Sequence, residues 1–111
     1  QHSFPQLSCL NKDSMLSHVM AVPLLKEAFT IGRSAAVEND FTLDGMGMQP
    51  KHCQISHDAT GASIESLSLG AVVHVNGHQL AEEGGPQPLH HLDRIVFGPC
   101  RLLCLYLSNS R

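Results

Sequence analysis

The Asn76-Gly77 pair, set between Val72–Val75 and His78–Leu80, constrains this chain more than any other feature. Both residue types tolerate positive φ, and Asn-Gly between two β-prone runs specifies a tight hairpin. The same grammar recurs along the chain. Short strand-like runs occur at His18–Pro23, Ala28–Ile31, Phe41–Leu43, His52–Ser56, Ala62–Leu67, Arg94–Phe97 and Arg101–Leu107, apolar residues recurring at two-residue spacing more often than at three or four, with Gly, Pro, Asn and Asp between the runs. That spacing places alternate side chains on one face of a strand. The pattern predicts about ten short strands, an all-β sandwich or barrel. The main helical competitor, Val22–Ala28, is short and contains Pro23, which counts against a packed helix. Ala81–Pro88 is polar and rich in Gly and Pro and reads as the clearest loop. Leu43, Ile55, Ile64, Val75, Ile95, Phe97, Leu103 and Leu105 are the core candidates, and the continuously apolar Arg101–Leu107 reads as a central strand buried on both faces.

The chain has 111 residues, the size of one domain. Seven Lys and Arg against ten Asp and Glu give a net charge of −3, and no two basic residues are adjacent. Nucleic-acid binding by phosphate neutralisation is therefore not expected. No apolar run reaches the roughly 18 residues of a membrane span. The basic-then-apolar layout of a signal peptide is absent too. A chain that opens on Gln1 rather than Met reads as a piece of something longer.

Eight His and four Cys invite a metal or redox reading. Cys9, Cys53, Cys100 and Cys104 show no Cys-x-x-Cys spacing. On a strand, Cys100 and Cys104 would share a face but lie about 13 Å apart. The cysteines are expected to be buried free thiols. His90 and His91 would face opposite ways on a strand, while His74 and His78 flank the hairpin and could meet across it. No zinc-ligand spacing connects the histidines. No Gly-x-Ser-x-Gly, His-Glu-x-x-His or Walker-type loop is present, and Asp40 and Asp44 read as turn residues rather than a carboxylate pair. No catalytic residue, metal site or cofactor is expected in this domain.

Five motifs occur in a particular order: Gly32-Arg33, Asn39-Asp40-Phe41-Thr42-Leu43, His52-Cys53-Gln54-Ile55, Val75-Asn76-Gly77 and Leu92-Asp93-Arg94-Ile95-Val96-Phe97-Gly98. In order and spacing they resemble a forkhead-associated (FHA) domain over residues 4–107, with 1–3 and 108–111 flanking. Pro5-Gln6-Leu7 through Asp13, Met15-Leu16-Ser17, Leu43-Asp44-Gly45 and His52-Cys53 resemble the FHA domains of kinesin-3 motor proteins in particular. The resemblance implies a β-sandwich of about eleven strands and a protein-interaction module in a microtubule motor. It further implies a cytoplasmic, cytoskeleton-associated protein whose ATP- and Mg-dependent motor lies elsewhere, with partners that are other proteins or other regions of the same kinesin. Homodimer formation, if any, would use regions outside this chain.

The family's usual ligand is a phosphothreonine peptide. By resemblance, Arg33 is the phosphate-binding cation, with Ser34 beside it. Gln49 and Pro50 stand where the family has Ser and Arg, and Ala71, Val72 and Val73 where it has Asn-Gly-Thr. Lys51 adds positive charge. Arg33 could equally be a loop arginine tied to Asp40 or Asp44. His52 is expected to hold the loops from inside, and Gly32, Asn76, Gly77 and Gly98 to serve the turns. A hydrogen bond to a charged group contributes roughly 1.5–3 kcal/mol, so losing two donors weakens a site by roughly a hundredfold to ten-thousandfold. Phosphothreonine recognition is therefore expected to be weak or absent. The alternative is a genuine phosphothreonine reader from a signalling or adhesion scaffold.

Overall fold

The computed structural model describes residues 4–11, 19–33, 38–43, 47–81, 85–98 and 102–109. Eleven strands run through them: β1 (Gln6–Asn11), β2 (Val19–Pro23), β3 (Ala28–Gly32), β4 (Phe41–Thr42), β5 (Cys53–Asp58), β6 (Gly61–Ser66), β7 (Val73–Val75), β8 (His78–Gln79), β9 (Gln87–Leu89), β10 (Arg94–Phe97) and β11 (Leu102–Leu107). They form a six-stranded sheet, β2-β1-β11-β10-β7-β8, and a five-stranded sheet, β4-β3-β5-β6-β9. Among the described residues there is no α-helix. The Val22–Ala28 stretch divides between the end of β2, a connection and the start of β3.

The period-two reading explains the packing. Leu7, Val75, Ile95 and Phe97 of the six-stranded sheet meet Phe29, Ile31, Ile55 and Ile64 of the five-stranded one, all at most 4% exposed. Each such side chain contributes about 1.5–3 kcal/mol by leaving water. Leu43 is partly buried against this core. Two core expectations are corrected. Leu103 and Leu105 are only half-buried, and Cys104 and Tyr106 point inward instead, at 0% and 4%. The apolar run could not fix its own phase, whereas pairing does: Cys104 lies opposite buried Cys9 of β1 and buried Ile95 of β10, and directly paired residues share a face. Leu103 and Leu105 pair with Leu10 and Ser8 on the outer face.

The cysteines also differ from expectation. Cys9 and Cys104 are joined by a disulfide between the first and last strands, 95 residues apart in sequence. Neither spacing nor motif revealed this, because the pairing is created by the β1–β11 register. Cys53 is a buried free thiol whose ionisation burial pushes upward, leaving it unreactive. Cys100 lies outside the described residues.

Two turns carry the hairpin grammar through. Asn76 and Gly77 have φ of 53° and 86°, the double-positive signature of a type I′ turn. Asn76 Oδ1 accepts the Arg94 N–H at 2.9 Å and its Nδ2 donates to Asp93 at 3.0 Å, fixing the hairpin to β10. The register sets His74 opposite Gln79 and His78 opposite Val75, so the two histidines do not meet across the hairpin. Gln87 and Pro88, expected in a loop, form β9 with Leu89. This strand pairs only with β6 at the sheet edge, where proline's missing N–H is tolerated.

Leu92 occupies a turn position suited to glycine. The Asp93 N–H donates to the His90 carbonyl at 2.9 Å, and Leu92 has φ of 73°. This is a type II turn with Leu at its third residue. The side chain is 55% exposed and loses little burial if removed. Leu92→Gly is expected to stabilise the domain by about 1 kcal/mol, the cost of a left-handed L-residue. A denaturant midpoint shifted upward at unchanged slope is the check.

Candidate functional site

Three connections meet at one end of the five-stranded sheet. Ile31 near the end of β3 lies opposite Cys53 at the start of β5, which lies opposite Ser66 at the end of β6. The β3–β4, β4–β5 and β6–β7 segments therefore leave the sheet side by side. They carry Arg33, Gln49 with Lys51, and Ala71 respectively.

His52 ties these segments together from inside. It is fully buried. The Gln49 N–H donates to His52 Nδ1 at 3.1 Å, so the ring proton sits on Nε2, which donates to the Val72 carbonyl at 2.9 Å. One neutral imidazole thus bridges the β4–β5 and β6–β7 segments using both nitrogens. Burial disfavours the charged ring and lowers the His52 pKa, although the Val72 bond partly opposes this. The unfolded chain protonates its histidine near pH 6.5 while the folded chain resists. Stability is therefore full above about pH 6.5 and falls as acidification proceeds toward the lowered folded pKa. A thermal midpoint that declines between about pH 7 and 5, with a shallower decline in His52→Gln, is the expected result.

Asn39 and Gly32 close the gap between β3–β4 and β4–β5. Asn39 Nδ2 donates to the Pro50 carbonyl at 2.8 Å and the Arg33 carbonyl at 3.2 Å, and the Arg33 N–H donates to Gln49 O at 2.9 Å. Gly32 is required here because a Cβ would overlap the Pro50 carbonyl. Gly98 also serves this end: its N–H donates to Val72 O at 2.6 Å, with φ of 54°.

Arg33 is exposed, and among the described residues no ion pair or hydrogen bond engages its guanidinium. The expected alternative tie to Asp40 is corrected. Asp40 instead accepts Lys26 Nζ, the Thr30 N–H and the Thr30 hydroxyl at 2.9, 2.9 and 3.2 Å. Slight burial raises its pKa, but these bonds outweigh that and the net shift is downward. Asp44 and Ser34 lie outside the described residues.

Gln49 is half-buried, and Lys51 is exposed with Nζ 3.5 Å from the Glu38 carbonyl. Ala71 and Val73 are 3% and 0% exposed. Val73 faces the core from β7, so neither side chain offers a donor at the surface. Ser68 is a contributor that motif reading missed. Its hydroxyl donates to the Lys51 carbonyl at 2.6 Å, fastening β6–β7 to β4–β5. Only the Gly two residues on hinted at a turn there. Among the described residues, no group of three or more His, Cys, Asp or Glu could hold a metal ion.

Known proteins share this fold. The FHA domain pattern matches residues 29–98, more than half of the chain. Kinesin-like protein KIF14 of Mus musculus is 31% identical over 96 residues, covering 85% of this chain and 5% of that protein. Kinesin-like protein KIF13B of Homo sapiens is 36% identical over 89 residues, covering 80% and 4%. The chain thus spans about one-twentieth of the length of these curated relatives. The crystal structure of the MEK1 FHA domain in complex with the HOP1 pThr318 peptide superposes with a TM-score of 0.73 at 18% identity, covering 98% of this chain and all of that one. The order of the strands, the three adjoining segments and the match over β3 to β10 lead to one conclusion: the chain belongs to the FHA domain family, a family of non-catalytic protein-interaction modules.

Proposed function

We propose that this domain docks proteins with little or no phosphothreonine capture, as part of a kinesin-3-like motor that moves along microtubules. The observation that carries the first half is the pair of apolar, buried residues Ala71 and Val73 where the family places polar side chains. One guanidinium, Arg33, is left to face a phosphate dianion. The Gln49 amide can donate one further bond, but its side chain is half-buried. Restoring donors supplies the test. Gln49→Ser with Ala71→Asn is expected to strengthen phosphothreonine-peptide binding by about tenfold or more, one charge-assisted bond's worth. No gain in a folded double variant contradicts the reading.

The motor half is supported by likeness to the two kinesin-like proteins. ATP and Mg would serve a motor outside this chain, and the domain itself needs no cofactor. A cytoplasmic, microtubule-associated protein follows, with other proteins or other regions of the same kinesin as partners. Microtubule-stimulated ATP hydrolysis by the full-length protein is the expected result. A full-length protein that neither binds microtubules nor hydrolyses ATP contradicts it.

A further inference from the structure

The β6–β7 segment does more than lack phosphate donors. The Ala71 N–H donates to the Ser68 carbonyl at 3.1 Å, and Gly70 has φ of 81° while Leu69 has none above zero. This defines a type II turn with Leu69 as its second residue. Leu69 is 75% exposed, the most exposed large apolar residue described, and Leu67 beside it is 38% exposed. The turn is fastened on both sides. The Leu67 N–H donates to His52 O at 3.0 Å, Ser68 is bonded to Lys51 O, and Ser66 Oγ donates to Ala71 O at 3.3 Å. A leucine held this way loses little freedom when a partner covers it.

Its neighbours are cationic. Lys51 is joined to Ser68 directly, and Gln49, whose carbonyl accepts the Arg33 N–H, brings its Nε2 within 3.6 Å of where a Gly70 Cβ would stand. The apolar knob and the exposed Arg33 thus share one rim. One guanidinium satisfies both oxygens of a carboxylate with two parallel bonds. It leaves part of a phosphate dianion to water.

Building on the docking role proposed above, we infer that this rim receives a peptide segment carrying an Asp or Glu side chain close to an aliphatic or aromatic residue. The carboxylate pairs with Arg33 and the apolar side chain covers Leu69, with Leu67 and Lys51 at the margin. The test uses fluorescein-labelled Gly-Ser peptides bearing one Glu and one Leu at each of several short spacings. Controls lack the Glu, lack the Leu, or carry phosphothreonine in place of Glu. At least one Glu–Leu peptide is expected to bind about tenfold or more tighter than both controls, and to lose that advantage in Leu69→Ser and in Arg33→Ala. Both positions are exposed, so the variants are expected to fold, and an unchanged thermal midpoint verifies it. No preference for any Glu–Leu peptide, or a preference that survives Leu69→Ser, overturns the inference alone. Tight binding of the phosphothreonine peptide without binding of its Glu counterpart overturns both the inference and the weak-capture reading.

Discussion

Reduction of the Cys9–Cys104 disulfide is expected to produce the largest loss of stability available to a single chemical change in this domain. The bond closes a segment of 95 residues between the first strand and the last. Releasing a loop of that size returns about 4–5 kcal/mol of chain entropy to the unfolded state. For a domain this small, that lowers the thermal midpoint by roughly 20 °C. Both cysteines are at most 1% exposed, and exchange requires a thiolate to reach a sulfur. Reductant is therefore expected to act slowly on the folded domain and quickly in denaturant. Thermal melts with and without reductant, after equilibration, are the check, and Cys9→Ala with Cys104→Ala should reproduce the reduced midpoint. The bond has a biological edge as well. Reducing compartments disfavour disulfides, so in such a compartment this pair would persist as a disulfide only while burial shields it.

The second large effect is expected at Gly32. A Cβ there would overlap the Pro50 carbonyl oxygen, lie 2.8 Å from its carbon, and lie 3.0 Å from Asn39 Nδ2. Both neighbours are held, since Pro50 O accepts Asn39 Nδ2, and Gly32 is held too, its carbonyl accepting the Leu43 N–H at 2.9 Å. Backbone cannot swing aside like the end of a long side chain. Gly32→Ala is therefore expected to cost roughly 3 kcal/mol, at the upper end of overpacking, and to separate the Arg33 and Gln49 segments. Denaturant unfolding measures the first effect. Amide chemical shifts of residues 31–33 and 49–52 report the second, and a variant with unchanged shifts contradicts the close-approach account.

Much of this architecture is written locally. The Asn76-Gly77 turn, the alternation of Cys53–Ser56 and the Ile95/Phe97 pair depend on neighbours a few residues away, so their pattern survives in one sequence. What failed to show depends on distant pairing. Leu103 and Leu105 could not be distinguished from Cys104 and Tyr106 as inward residues until β1 was set beside β11. The disulfide was invisible for the same reason. The motif residue His52 bridges two of the connections as its family position implies, whereas Asp40's engagement with Lys26 and Thr30 and the Ser68 bond to Lys51 arise from loop packing that no spacing encodes. Leu69 was passed over because motif reading looks for the donors a family uses, not for what replaces them.

On the function proposed here, the end of the sandwich bearing Arg33 is a protein-docking surface whose phosphate capture is reduced to Arg33 and the neighbouring charge of Lys51. Calorimetric titration of the folded domain with phosphothreonine peptides, alongside their unphosphorylated counterparts, tests it most directly. Affinities weaker than about 100 μM, equivalent to about 5.5 kcal/mol of binding, are expected for both. Low-micromolar binding that requires the phosphate and vanishes in Arg33→Ala would contradict it.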